Sequence, residues 1–206
     1  MDKKRKFIVV EGIVQGVGFC PFVYNLAKAF GLKGWVNNNS EGVYIDVEGI
    51  EKDIDEFLRC IANDPPPLSR IEKTTIKADK LLNYSNFEIK ESEVSLNKIT
   101  FISPDIGTCS ECTEDILNSN NRRQGYAFTN CTNCGPRFSI IKEVPYDRDK
   151  TTMSEFKMCK ECNGEYLNPK NRRFHAQPNA CVECGPELWI EDFKGNKLDI
   201  EDPISG

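Results

Sequence analysis

Residues 6–23 read KFIVVEGIVQGVGFCPFV, and the architecture of the N-terminal half hangs on them. Lys6 to Ile13 is an apolar, β-branched run, which predicts a strand. Val14 to Cys20 carries two glycines and predicts a tight turn. Pro21 then falls in the first turn of a helix, where proline is tolerated. Phe22, Val23, Leu26, Ala27 and Phe30 recur at helical spacing, and Gly31 ends the run. Reading outward, Lys33 to Val36 and Val43 to Glu48 are expected strands around a polar loop, Asn37 to Gly42. Glu51 to Asn63 is an expected helix with Ile54, Phe57, Leu58 and Ile61 on one face, and Cys60 a bystander within it. Ile71 to Ala78 and Asn86 to Lys90 close the series as strands. The βαββαβ order predicts an α+β, ferredoxin-like sheet with two helices on one face. Its first turn brings successive amides together at a helix N-terminus, a local design that cradles anions.

The second half is a repeat. CSECTEDILNSNNRRQGYAFTNCTNCGPRFSI from Cys109 aligns without a gap, at a period of 50, with CKECNGEYLNPKNRRFHAQPNACVECGPELWI from Cys159. Eight of the ten cysteines fall in four Cys-x-x-Cys pairs: Cys109 and Cys112, Cys131 and Cys134, Cys159 and Cys162, Cys181 and Cys184. In each unit 18 residues separate the two pairs, a spacing typical of zinc sites. Two such turns complete a tetrahedron of thiolates and leave no open position, so two structural zinc ions are expected. Iron fits the same ligand set, and pairs could in principle be exchanged between units; the repeat favours each unit closing on itself. Units this short bury little apolar surface, so the metal is expected to supply much of their folding free energy. His175, the only histidine, is not needed as a ligand.

Charge excludes one common use of such modules. From Asp105 to Ile190 there are 11 Lys and Arg against 12 Asp and Glu, so no basic field gathers phosphates. Nucleic acid is therefore not an expected partner, and Arg122-Arg123 and Arg172-Arg173 are assigned to local pairing or a domain contact. The net charge of −5 and the lack of any apolar run of membrane-spanning length point to a soluble protein without a membrane partner. The basic start is followed by a short strand rather than the apolar stretch of a signal peptide, so the expected location is cytoplasmic.

Gly12-x-Val14-Gln15-Gly16-Val17-Gly18-Phe19, followed by Gly34-Trp35-Val36-x-Asn38, resembles the acylphosphatase signature. The resemblance implies that the amides of Gln15, Gly16, Val17, Gly18 and Phe19 hold phosphate and that Asn38 orients the attacking water. In that family an arginine after the phenylalanine clamps the phosphoryl group; here the position is Cys20. A thiol cannot offer the fixed bidentate charge of a guanidinium. Hydrolysis of acyl phosphates is therefore expected to be weak or absent, with binding retained. A thiolate nucleophile at Cys20 would need a nearby arginine to hold the phosphate, and none follows within several residues.

The whole chain resembles the N-terminal portion of the HypF family of hydrogenase maturation carbamoyltransferases. The resemblance rests on Val14 to Tyr24, Asn130 to Phe138, Pro145 to Arg148 and Arg172 to Pro178. It implies an acylphosphatase-like domain at 1–91, a linker at 92–104, a tandem four-cysteine zinc-finger domain at 105–190 (repeats 109–134 and 159–184) and, at 191–206, the start of a connection to further domains. It also implies carbamoyl phosphate as substrate and ATP used only by those further domains. The carbamoyl group would pass to the partner HypE, toward the cyanide ligands of a nickel-iron centre. On this reading the chain is a fragment that does not transfer carbamoyl by itself. The competing reading is a catalytically silent phosphate-binding scaffold, favoured by Cys20.

Overall fold

A computed structural model describes residues 2–39, 41–90 and 105–200; the expected linker 92–104 lies outside them, as do residues 201–206. The chain begins with strand β1 (Lys3–Ile13), helix α1 (Phe19–Ala29), β2 (Lys33–Asn39), β3 (Gly42–Ile50), α2 (Glu51–Asn63), β4 (Arg70–Asp79) and β5 (Phe87–Ile89). The sheet order is β4-β1-β3-β2-β5. The first four strands pair antiparallel in the ferredoxin-like arrangement. β5 adds a short fifth strand, parallel to β2 from Gly34↔Phe87 to Val36↔Ile89.

Two expectations change. β1 starts three residues earlier than its apolar run, because Arg5 finds a partner across the sheet: its Nη2 lies 2.6 Å from Oδ2 of Asp46. The polar stretch after Val36 is not a loop, for β2 continues to the rung Asn39↔Gly42. Asn37 and Asn39 are buried, and the Asn39 carbonyl accepts 2.7 Å from Nε2 of Gln15. Asparagine disfavours strands in general; here tertiary hydrogen bonds override that preference.

α1 is delimited by two glycines in the left-handed region. Gly18 (φ 78) is its N-cap. Gly31 (φ 66) closes it, with Gly31 N bonded to Lys28 O and Leu32 N to Ala27 O, the two bonds of a Schellman cap. α2 has the extent its periodicity implied and buries Ile54, Phe57 and Ile61. These meet Val23 and Ala27 of α1 and Ile8, Val10, Val43, Ile45 and Val47 of the sheet in one apolar core. Burial on this scale, about 25 cal/mol per Å² of apolar surface, stabilises the N-terminal half without metal.

The second half has no comparable core among its described residues. The repeats place short helices α3 (Ser110–Leu117) and α4 (Lys160–Leu167) at equivalent positions, each opened by the first cysteine of its unit. Apart from the cysteines, its largest buried apolar cluster centres on Tyr126, Met153 and Ala180. Residues after the second unit form a hairpin of β6 (Ile190–Glu191) and β7 (Lys197–Leu198).

Candidate functional site

The turn between β1 and α1 is stretched over the finger domain. Gly16 adopts φ +70, and a Cβ there would stand 2.7 Å from Cβ of Pro136 and 2.8 Å from Cδ1 of Tyr146. Glycine is thus required twice, for the backbone angle and for the close approach. Gln15 is buried beneath it. Its amide nitrogen holds the β2–β3 hairpin, while its Oε1 accepts from Tyr146 N at 3.3 Å. Tyr24 also packs on Phe174, ring centroids 5.6 Å apart, and Asn25 donates to Pro169 O at 2.9 Å.

This junction encloses a cavity of about 420 Å³. Gly16, Gly18, Phe19, Cys20 and Asn38 line it from the N-terminal domain; the Gln15 and Val17 side chains are used in packing instead. The two residues assigned to chemistry meet: Cys20 Sγ donates to Asn38 Oδ1 at 3.2 Å. Burial, and after it the Asp147 carboxylate, push the Cys20 thiol well above its ordinary range. It is therefore a protonated donor, the opposite of an activated nucleophile.

The far wall belongs to the fingers and includes Asn130, Thr132, Asp147, Tyr166, His175 and Gln177. Linear spacing carries no sign that residue 146 packs on residue 15. The available hint is that Pro145 to Arg148 and Arg172 to Pro178 are stretches that carry the HypF resemblance, although neither contains a metal ligand. The Arg148 guanidinium, which also borders the cavity, is spent on the carbonyls of Gln177, Asn179 and Phe156 at 2.6 to 3.0 Å.

The eight finger cysteines gather as Cys109, Cys112, Cys131, Cys134 and as Cys159, Cys162, Cys181, Cys184, the sulfurs of each set within 4.8 Å of one another. Each unit closes on itself. Sulfur separations of 3.6 Å (Cys109–Cys131), 3.9 Å (Cys131–Cys134) and 3.8 Å (Cys159–Cys181 and Cys181–Cys184) are too long for disulfides. A tetrahedron with metal–sulfur bonds of about 2.3 Å has edges of about 3.8 Å, so the sets fit a zinc ion. His175 lies in the cavity wall, apart from both sets.

The paired arginines cross between units. Arg122 Nη2 lies 2.7 Å from Cys162 Sγ and Arg172 Nη1 2.8 Å from Cys112 Sγ. Arg123, almost wholly buried, donates from Nη1 to Glu165 at 3.0 Å and from Nε to the Ala180 carbonyl at 2.9 Å. Arg173 reciprocates on Asp115 and the Asn130 carbonyl. Four thiolates around a divalent ion would leave a net negative site, and the arginines of each unit are placed to neutralise the other's.

A ferredoxin-like sheet with a glycine-rich turn at a helix N-terminus, joined to paired four-cysteine units suited to metal, defines a small α+β domain followed by tandem fingers. The acylphosphatase family model matches residues 6–89, and that of the HypF finger matches 108–141 and 158–191. An acylphosphatase of Archaeoglobus fulgidus is 40% identical over 83 residues, 40% of this chain and 92% of its own length. The carbamoyltransferase HypF of Synechocystis is 46% identical over 154 residues, 75% of this chain and 20% of its own length. The crystal structure of full-length HypF in a phosphate- and nucleotide-bound form superposes with a TM-score of 0.90 at 45% identity, over 98% of this chain and 26% of that one. The chain belongs to the acylphosphatase family through its N-terminal domain, and it carries the two fingers and the domain order of HypF. It spans about a fifth of the length of the HypF relatives it matches. No helix among the described residues is long and apolar enough to cross a membrane.

Proposed function

We propose that this chain is the carbamoyl phosphate-handling part of a cytoplasmic carbamoyltransferase of nickel-iron hydrogenase maturation. The observation that carries the reading is the cavity, where the acylphosphatase turn and Asn38 face a wall built by the fingers. Amides from Gln15 to Phe19 at the N-terminus of α1 take the phosphoryl oxygens, and Asn38 orients water toward phosphorus. Cys109, Cys112, Cys131 and Cys134 would hold one zinc ion and Cys159, Cys162, Cys181 and Cys184 the other; with four thiolates and no open position, each would set the fold of the finger wall and take no part in the reaction. Residues 1–91 and 105–190 act as the two domains, with 92–104 as linker. ATP use and delivery of the carbamoyl group to HypE belong to the remainder of such an enzyme.

A second reading, a silent phosphate-binding scaffold, is favoured by one contact. The Cys20 thiol occupies the carbonyl oxygen of Asn38 and brings no positive charge to the phosphate. Phosphate release from carbamoyl phosphate by the chain, its Cys20→Arg variant and Cys20→Arg/Asn38→Ala separates the two. Catalysis predicts a gain on the order of 10³-fold with arginine and its loss with Asn38→Ala. Silence of both the parent and Cys20→Arg leaves the scaffold.

A further inference from the structure

The fingers are one sequence folded twice, so each position has a control in its sister repeat. Where both units carry the same structural duty the residues match, as in Asn121 and Asn171, Arg122 and Arg172, Arg123 and Arg173. Seven cavity-lining positions break the match; Thr132, opposite Val182, is spent on the Arg172 carbonyl at 3.0 Å, Ala176 and Pro178 are small or apolar opposite Tyr126 and Phe128, and four remain. Asn130 aligns with Ala180, Tyr166 with Ile116, His175 with Gly125 and Gln177 with Ala127. Each time the polar member stands in the cavity wall, while its small or apolar sister does not.

The fold bears a cost for His175 and Asn130, and it leaves one end of Gln177 unused by the described residues. Gly125 and His175 make the same turn, Gly125 N to Ile116 O at 2.9 Å and His175 N to Tyr166 O at 3.0 Å. Gly125 does so at φ 66, easily; His175 does so at φ 54, in a region that side chains with a Cβ avoid. The Asn130 carbonyl accepts from Arg173 Nε at 3.1 Å as the Ala180 carbonyl accepts from Arg123 Nε at 2.9 Å, so alanine meets the backbone duty. The side chain of Asn130 adds a buried amide whose oxygen and nitrogen both have no hydrogen-bond partner among the described residues. Gln177 Oε1 is pinned by Tyr166 Oη and Arg148 N, each at 3.0 Å, and no described residue accepts from its Nε2.

We infer that the finger wall, through Asn130 and with Gln177 and His175 beside it, binds the carboxamide end of the substrate. The inference rests on the reading of the cavity as an acyl phosphate site, and it assigns the fingers a part in specificity. A carbamoyl group presents a carbonyl oxygen and an NH2 on one plane. Asn130 presents the complementary donor and acceptor, and Gln177 Nε2 a further donor. Acetyl phosphate presents the same oxygen but a methyl group in place of NH2, which strands the acceptor of Asn130. A site that hydrogen-bonds one group rejects the analogue that lacks it, because its own polar atom is left unpaired.

The test is binding of carbamoyl phosphate, acetyl phosphate and inorganic phosphate to the zinc-loaded chain, followed in the cold by calorimetry. The same series is run on Asn130→Ala and His175→Gly, which copy the sister repeat, and zinc content reports folding. The expected result is a preference of about tenfold for carbamoyl over acetyl phosphate in the parent, the worth of a hydrogen bond. Asn130→Ala should abolish that preference while inorganic phosphate binds as before. Equal affinity for both acyl phosphates in the parent, or a preference that survives Asn130→Ala, overturns the inference and leaves the acyl phosphate reading intact. If none of the three binds the parent, both fall.

Discussion

Arg172 of the second finger donates to the Cys112 sulfur of the first at 2.8 Å, and Arg122 of the first donates to the Cys162 sulfur of the second at 2.7 Å. Each metal set thus has its outer partner in the other repeat. Removing one arginine should loosen the ion of the opposite unit. Arg172→Ala is expected to weaken metal retention in the set containing Cys112 by about 10- to 100-fold, and Arg122→Ala to do so in the set containing Cys162. Chelator competition resolved by cysteine alkylation and mass spectrometry assigns the loss. Loss from an arginine's own unit would contradict the crossed arrangement.

Metal removal should split the chain into a folded and an unfolded half. The N-terminal domain has an apolar core running from Ile8 to Phe87, whereas the fingers bury chiefly sulfur and a cluster around Tyr126, Met153 and Ala180. Folding of such units is largely metal binding. A strong chelator is expected to expose residues 105–200 to protease while residues 2–90 persist, as intact mass of the surviving piece would show.

Legibility in the sequence followed how local each determinant is. The helix at Glu51 to Asn63 and the turn around Gly16 and Gly18 depend on near neighbours, and periodicity with glycine placement was sufficient to find them. The gathering of eight cysteines into two sets of four followed from spacing, since a thiolate tetrahedron would impose it. Asn37 to Asn39 read as loop because what keeps them in a strand includes a bond from Gln15, more than twenty positions away. The repeat was visible, but not that its arginines cross from one unit to the other. The cavity wall was the least legible part, because Tyr146, His175 and Gln177 reach the glycine-rich turn only through the packing of one domain on another.

Gly16 is the pivot of that packing. Gly16→Ala must place a Cβ within 3 Å of Pro136 and Tyr146 on a backbone at φ +70. The left-handed conformation alone costs roughly 1–2 kcal/mol, and the collision adds to it. The expected outcome is a lower melting temperature together with lost phosphate binding, because the turn can relax only by lifting off the fingers. Unchanged phosphate affinity would show that the cradle does not depend on this contact.

The last prediction concerns acid. Burial between Tyr166 and Phe174 holds the pKa of His175 below its ordinary value of about 6.5, since the imidazolium is the form that desolvation penalises. As pH falls through that ordinary value the unfolded chain takes up the proton first. Stability from the neutral imidazole is therefore fully present above about pH 6.5 and drains away as pH falls toward the folded pKa. Acid also protonates the thiolates, but it does so with or without the imidazole. His175 is the only histidine, so His175→Gly isolates its share. Between about pH 7.5 and 5.5 the melting temperature of the parent should fall more steeply than that of His175→Gly, a comparison that differential scanning calorimetry makes directly. Parallel slopes would mean that the imidazole takes up its proton as readily in the folded cavity wall as in water, and that the wall is open to solvent.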